Sequence, residues 1–332
     1  MDKRSINEFI VLTTINTPTK AVKVLAKNKN NNVIVIGDSK TPGSWNCNNT
    51  NFISLQSQTR LNYELVRHLP NNHYCRKMLG YLVAIEQQAE YIIDIDDDNI
   101  PYTDWSFPSF EGTYKTTLKN KGFTNVYTYF TRRKIWPRGL PLRYIDTYCL
   151  ENNKKRVKIG VWQGLADADP DVDAIYRLTN NTSCYFNNKA PIVLEKNTIT
   201  PFNSQNTKFR KELFSLLYLP IFVTFRFTDI LRGLVAQPIM WQHGYHLGFT
   251  KATVTQVRNP HDFMKDFISE IPMYIHSEKV LDVVNSSINS KDTIQDNMYN
   301  AYQALCQAKI VESKEVKGVT SWLNDLSRIN CF

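Results

Sequence analysis

Apolar and polar positions along the first part of the chain predict strands separated by helices. The run EFIVLTTI (residues 8–15) is apolar and rich in β-branched residues, which predicts a buried strand. VIVIGD (residues 33–38) predicts a second strand that ends in a Gly-Asp turn. Between them, Val22 and Leu25 lie on one face of a short helix predicted over residues 18–27.

The same alternation continues towards residue 95. FISL (residues 52–55) predicts a third strand, and apolar residues recur at helical spacing over residues 74–89. YIIDI (residues 91–95) then predicts a strand. Strand, helix and strand in repetition are typical of a parallel sheet with crossover helices, so we expect an α/β fold.

The last part of the chain has a different pattern. SEKVLDVVNSSI, TIQDNMYNAYQALCQAKIV and VTSWLNDLSRI have apolar residues at helical spacing and predict helices. We therefore expect a catalytic domain over residues 1–275 and a helical extension over residues 276–332 packed on it. Dimerisation and acceptor binding remain open as further roles of the extension.

Composition indicates a folded protein that works inside the cell. The 332 residues contain six scattered cysteines with no CxxC pair, which disfavours a zinc knuckle or a disulfide scaffold. The longest apolar run, residues 213–225, is too short to span a membrane and contains Pro220. We expect a soluble cytoplasmic protein, in the host cytoplasm if it is viral. The net charge of +9 favours an anionic partner such as nucleic acid, a nucleotide or an anionic membrane surface.

The stretch YIIDIDDDNIP places four aspartates within residues 94–98, directly after a predicted strand. Ligands of open α/β sheets bind outside the carboxyl ends of the strands. Clustered carboxylates there suit Mg²⁺ or Mn²⁺, which also hold substrate phosphates. We therefore expect Asp96 and Asp98 to bind a divalent metal that carries a diphosphate. A solvated acidic turn or a helix N-cap is the alternative.

Several segments resemble STELLO-type glycosyltransferases and, more distantly, the reversibly glycosylated polypeptides known as UDP-arabinopyranose mutases. They occur in one order across residues 8–275: VIGDSKTPGSW, YCRKMLGYLVAIEQQAEYIIDIDDDN, IWPRGLPL, QGLADADPDVDAIYRLT and FRFTDILRGLVAQPIMW. The resemblance implies a GT-A type fold, which is a Rossmann-like, mostly parallel sheet flanked by helices. It also implies a DxD motif, a divalent metal and a UDP-sugar donor.

The resemblance also implies residues that bind the donor. Asp38 ends the second predicted strand, where GT-A proteins contact uracil or ribose, and Lys40 is expected near phosphate. Arg76 and Lys77 match a family pattern and are expected to reach the nucleotide, with a solvated helix start as the alternative. Arg138, in the rigid loop IWPRGLPL, is expected at phosphate or sugar.

A third metal ligand in GT-A enzymes is often a distant histidine. His261 in QVRNPHDF is the candidate beside Asp96 and Asp98, and a surface loop histidine is the alternative. Asp97 is expected to contact ribose or sugar.

Two segments compete to supply the catalytic base. Asp229 and Arg232 fall one helical turn apart and can share a face, which resembles the acid and arginine at a helix start of inverting GT-A enzymes. We expect Asp229 to be the base, and an N-cap paired with Arg232 is the alternative. Asp171 and Asp173 in DADPDVD are expected to line the sugar pocket, and the base remains open between the two segments.

These expectations combine into a metal-dependent glycosyltransferase that moves a sugar, such as the pentose arabinose, from a UDP-sugar to an acceptor hydroxyl. The charge slightly favours DNA with a hydroxymethylated base of phage type over a lipid-linked or surface glycan. A nucleotide-sugar mutase, a metal hydrolase and a non-catalytic nucleotide-sugar-binding scaffold remain open. Monomer and dimer remain open as well.

Overall fold

The computed structural model describes residues 7–118, 122–258 and 261–329, so Cys331 lies outside the described residues. Strands and helices alternate along them. The strands are β1 (Glu8–Thr14), β2 (Asn32–Gly37), β3 (Thr50–Ile53), β4 (Tyr91–Ile95), β5 (Asn99–Pro101), β6 (Glu111–Thr117), β7 (Gly122–Phe123), β8 (Glu151–Asp167), β9 (Ile192–Val193), β10 (Thr198–Ile199), β11 (Asn206–Arg210) and β12 (His246–Gln256). The α-helices are α1 (Lys20–Lys27), α2 (Leu55–Gln58), α3 (Lys77–Glu86), α4 (Tyr127–Phe130), α5 (Ala174–Thr179), α6 (Thr228–Gln242), α7 (Phe263–Ser287), α8 (Ile294–Gln307) and α9 (Ser313–Arg328).

Ten of the described strands form one sheet in the order β3-β2-β1-β4-β11-β8-β6-β9-β12-β5, with β12 also paired to β8. β3, β2, β1 and β4 run parallel, as the alternation predicts. Beyond β4 the sheet is mixed, because β11 runs antiparallel to both β4 and β8. The α/β prediction is confirmed, and the arrangement is consistent with the GT-A type fold.

The first half of the sheet holds the predicted elements in place through close packing. β1 and β4 are almost wholly buried, as expected for strands covered on both faces. Gly80 in α3 permits a close approach of helix and sheet, since a Cβ there would lie 2.5 Å from Cγ1 of Val11. The predicted helix over residues 74–89 begins as the 3₁₀ segment Tyr74–Arg76 and becomes α-helical at Lys77.

The C-terminal helices pack on the core. α7 runs through the predicted boundary after residue 275, because buried Met273, Val280 and Val284 continue one helical face. In α9, the Glu315 carboxylate accepts hydrogen bonds from the backbone N–H groups of residues 221 and 222, at 2.9 and 2.7 Å. No helix of the described residues has the length and apolar character that crossing a membrane requires.

Candidate active site

A cavity of about 200 Å³ opens beside the carboxyl ends of β1 and β4. It brings together seven predicted site residues from well-separated segments of the chain: Asp96, Asp97, Asp98, Arg138, Asp171, Asp229 and His261. Thr13, Tyr74, Ser204, Gln205, Phe225, Arg226, Gln256 and Arg258 complete the lining. The cavity thus lies where ligands bind in open α/β sheets.

One side of the cavity is formed by the three consecutive aspartates after β4. Asp96 accepts a hydrogen bond from Lys77 Nζ at 2.8 Å and is 37% exposed at its side chain. Asp97 accepts one from Thr14 Oγ1 at 2.5 Å, and Asp98 accepts one from Gln256 Nε2 at 3.0 Å. Each carboxylate is therefore fixed by a different neighbouring element.

The acidic side contains more negative charge than its neighbours balance. Burial raises the pKa of Asp96 to about 7, and the charge of Asp98 adds to this while Lys77 opposes it. Burial also raises the pKa of Asp98, helped by the charge of Asp97. A cation bound between these carboxylates would favour their ionised forms.

A buried layer of paired charges lies behind the aspartates. Lys77 Nζ is 2.8 Å from Asp94 Oδ1 as well as from Asp96 Oδ1, and its side chain is fully buried. Arg232 Nη1 is 2.7 Å from Asp94 Oδ2, so Arg232 pairs with Asp94 and not with Asp229. Lys77 and Arg232 are therefore outside the cavity lining, and Lys77 instead orients Asp96.

Asp38, Arg76 and Lys40, which were predicted to bind uracil or ribose, the nucleotide and phosphate respectively, are also outside the cavity lining. The Asp38 carboxylate accepts backbone N–H bonds from residue 72 at 2.8 Å and from His73 at 3.1 Å. Arg76 is buried and donates to Gln58 Oε1 at 2.8 Å. Lys40 is exposed. Asp38 and Arg76 thus hold the loops around the ends of β2 and α3.

The opposite side of the cavity is a pair of acids held by one arginine. Arg138 Nε lies 2.8 Å from Asp171 Oδ1, and its Nη2 lies 2.9 Å from Asp229 Oδ2. All three side chains are almost fully buried. Burial alone would raise the pKa of both aspartates, but Arg138 outweighs it and holds both pKa values below their ordinary range. Both acids are therefore ionised at neutral pH.

Asp173 lies apart from this pair. Its carboxylate caps the start of α5 by accepting from Tyr176 N at 2.8 Å, and it accepts from Trp136 Nε1 at 2.7 Å. It is fully buried, and burial raises its pKa to about 6. Its contacts give it a structural position beneath the loop that carries Arg138.

Two arginines of the cavity were missed by sequence reasoning. Arg226 Nε donates to the buried Glu270 at 3.0 Å, and Arg258 Nε donates to Asp169 at 2.9 Å. Each lies three residues before a residue that was predicted, Asp229 or His261. Their positions in the sequence gave no signal that would distinguish these two arginines from ordinary surface arginines. With Arg138, they place three guanidinium groups around the same cavity as the aspartates, and guanidinium groups are well suited to bind phosphate.

The metal-ligating groups of the cavity fit a divalent cation whose remaining coordination positions are taken by phosphate and water. Among the described residues, no three carboxylate, imidazole or thiol groups converge closely enough to hold an ion by themselves. Asp96 and Asp98 supply hard oxygens, and Mg²⁺ typically takes one or two carboxylates together with substrate phosphates. Nδ1 of His261 lies 3.0 Å from Asp266, an arrangement that orients a metal-binding imidazole.

The fold and the cavity define an α/β protein of GT-A type architecture with a carboxylate- and arginine-lined site. Residues 226–332 match the family of STELLO glycosyltransferases. Over 341 aligned residues and 96% of its length, the chain is 28% identical to "Probable glycosyltransferase STELLO2" and 27% identical to "Probable glycosyltransferase STELLO1", both of Arabidopsis thaliana. The alignments cover 44% of each relative, so the chain spans less than half their length. The predicted resemblance to STELLO-type glycosyltransferases is confirmed.

Proposed function

We propose that the protein is a metal-dependent glycosyltransferase that moves a sugar from a UDP-sugar to an acceptor hydroxyl. The observation that carries the proposal is the cavity that combines Asp96 and Asp98 with three arginines. The resemblance to proteins named as probable glycosyltransferases supports the reaction class, and the UDP-sugar donor is part of the proposal. A pentose such as arabinose is the first donor sugar to test.

The residues of the cavity are suited to the departure of a diphosphate. Asp96 and Asp98 would hold Mg²⁺ or Mn²⁺, which supplies charge stabilisation to the leaving diphosphate. Arg226 and Arg258 line the cavity and are fixed from behind by their acidic partners. Their guanidinium groups can stabilise charge on phosphate oxygens without reorganisation.

Asp229 remains our candidate for the base that takes the proton of the acceptor hydroxyl. It lines the cavity and is ionised, and Tyr74 Oη donates to its Oδ1 at 3.1 Å. Its lowered pKa makes it a weak base while Arg138 is bound to it. Asp171 shares the same arginine and is the competing candidate.

To test metal dependence, the protein is incubated with UDP-sugars, Mn²⁺ and candidate acceptors. UDP release and the mass of each acceptor are then measured. Asp96→Asn or Asp98→Asn should abolish turnover and weaken UDP-sugar binding while leaving the fold intact. Asp282→Asn, an exposed acid on α7, is the control with the same chemical change. Full turnover in EDTA, or in either cavity variant, contradicts the metal role.

The same assay separates the reaction classes. Interconversion of sugar ring forms without an acceptor indicates a mutase, and tight UDP-sugar binding without turnover indicates a scaffold. A DNA strand with hydroxymethylated bases and a lipid-linked glycan are the first two acceptors to compare.

A further inference from the structure

The net charge of the protein is concentrated in one part of the chain. Residues 111–166 contain twelve lysines and arginines but three acids, so they carry +9, and the rest of the chain sums to zero. Of the ten described cations in this segment, Arg138 alone lines the donor cavity. Most of the charge in this segment therefore lies outside the lining of the donor cavity.

Part of this charge lines a separate groove of about 470 Å³. Arg132, Arg133, Lys134 and Lys189 lie along it, and all four are exposed. Tyr148, 70% exposed, also lines the groove. Among the described residues of the lining, Asp146 is the one acid, and it contacts Lys134 at 3.2 Å in a largely exposed pair that neutralises little.

Further cations continue from the groove along the exposed start of β8. Lys154 and Arg156 lie on one face of this strand and form no ion pair within the described residues. Lys115 lies across from Lys154 on β6 but is paired with Glu151 at 2.8 Å, so Lys154 and Arg156 carry the unpaired charge. Unpaired cations on a solvated face strengthen the field around the groove and attract an anionic chain.

We propose that this groove binds a single-stranded nucleic acid through its phosphodiester backbone. A positively charged groove with an exposed aromatic ring on which a base can stack is the usual arrangement for such strands. Asn125, Thr128 and Thr131 also line the groove, but their side chains are hydrogen-bonded within the protein, so the exposed cations and Tyr148 carry the proposal. A concave site of about 470 Å³ accepts a single chain, whereas a bilayer presents a broad surface that contacts its rim only.

The groove and the donor cavity are lined by neighbouring parts of the chain. Lys134 and Arg138 are four residues apart, so their Cα atoms lie within about 14 Å of each other even in a fully extended chain. The segment between them is held by Asn125 Nδ2, which donates to the carbonyl of Ile135 at 2.8 Å. If the proposed function holds, a strand in the groove is within reach of the donor. Strand binding itself does not depend on that function.

The test measures binding of a fluorescein-labelled DNA 20-mer by anisotropy between about 50 and 200 mM salt, without donor or metal. The triple variant Arg132→Gln, Lys134→Gln, Lys189→Gln should bind about tenfold or more weakly at 50 mM. Its salt slope should fall by roughly 2, since each phosphate contact on a single strand contributes about 0.7. Tyr148→Ala should weaken binding by about 5- to 100-fold with the slope unchanged.

The matched control is Lys23→Gln, Lys27→Gln, Lys29→Gln, which removes the same charge from exposed positions at α1. It should change the DNA affinity less than twofold. Equal weakening in both triple variants overturns the proposal, because net charge would then explain the binding. Binding of the wild-type protein to phosphatidylserine vesicles but not to DNA also overturns it. If the triple variant does not melt cooperatively, Arg132→Gln alone replaces it.

UDP binding by calorimetry keeps the two proposals distinguishable. The groove variants should bind UDP with Mn²⁺ as the wild-type protein does. A wild-type protein that binds DNA through the groove but not UDP refutes the proposed function and leaves the nucleic-acid site intact.

Discussion

The two acidic sides of the cavity hold similar numbers of carboxylates in opposite electrostatic states. After β4, Asp96 and Asp98 outnumber their cations, and burial raises their pKa values. Across the cavity, Asp171 and Asp229 share Arg138, which lowers both pKa values. The first side therefore needs a cation to become fully ionised, whereas the second already has one.

This difference assigns different tasks to chemically identical side chains. Carboxylates with unbalanced charge gain most from a divalent ion, so Asp96 and Asp98 are the suitable metal ligands. A carboxylate paired with a buried guanidinium is firmly placed but weakly basic, which suits it to positioning and to modest general-base catalysis. Three predictions test whether the two sides differ as described.

Replacing the shared arginine should have the largest effect. Arg138→Met leaves Asp171 and Asp229 buried without their cation, and breaking a buried pair in this way costs about 3–5 kcal/mol of stability. Urea denaturation at pH 7 measures the loss. Arg132→Met, an exposed arginine of the same segment, should change stability by roughly 0.5 kcal/mol or less. Equal stability of the two variants would mean that Arg138 does not hold the acidic pair.

The second prediction separates the two acids that share Arg138. Asp229→Asn should lower kcat by about 100-fold, or roughly 2.7 kcal/mol, because the proton transfer occurs in the transition state. Its affinity for UDP-sugar should be nearly unchanged. Asp171→Asn makes the same near-isosteric change and should lower kcat less than Asp229→Asn does. If Asp171→Asn produces the larger loss, Asp171 is the base and Asp229 positions Arg138.

The smallest effect concerns the acidic side. The folded protein holds a proton on Asp96 up to about pH 7, whereas an unfolded chain releases it near pH 4. This group therefore makes the metal-free protein less stable as pH rises from about 4 to 7. The loss should be under about 1 kcal/mol, since Asp96 is partly solvated. Melting curves of wild type and Asp96→Asn at pH 5 and 7 should show the difference, and Mn²⁺ at pH 7 should remove it in the wild type.

The parallel part of the fold follows from periodicity, and the mixed part does not. β1, β2 and β4 are apolar, β-branched runs whose burial in a sheet is the only stable outcome. β11, with the sequence NTKFR, is short and polar, and its place between β4 and β8 depends on long-range pairing that no local pattern encodes. The second half of α7 was predicted from SEKVLDVVNSSI, but its start at Phe263 was missed because Pro272 interrupts the apolar pattern.

In the candidate site, too, some features follow from local sequence patterns and others depend on long-range contacts. Strand-end placement predicted the Asp96 to Asp98 cluster, family motifs indicated Arg138, Asp171 and Asp229, and the general GT-A pattern of a distant histidine indicated His261. The structure places all of them at one cavity. The ion-pair partners of the buried residues were not predictable from the sequence. Arg232 pairs with Asp94 on a distant strand, although Asp229 is only three residues away along the chain. One signal was available: Asp94 is an acid inside an apolar strand, and such a residue needs buried cations.

The pairing of β12 has a consequence for engineering the chain. The region that matches the STELLO family begins at residue 226 and contains β12, but the strands paired to β12 are β5, β8 and β9, all encoded earlier. A fragment starting at residue 226 would present unpaired strand edges, which promote aggregation. Chimeras between this chain and its relatives should therefore exchange β5 to β12 together, because the matched region is a unit of sequence similarity and not of autonomous folding.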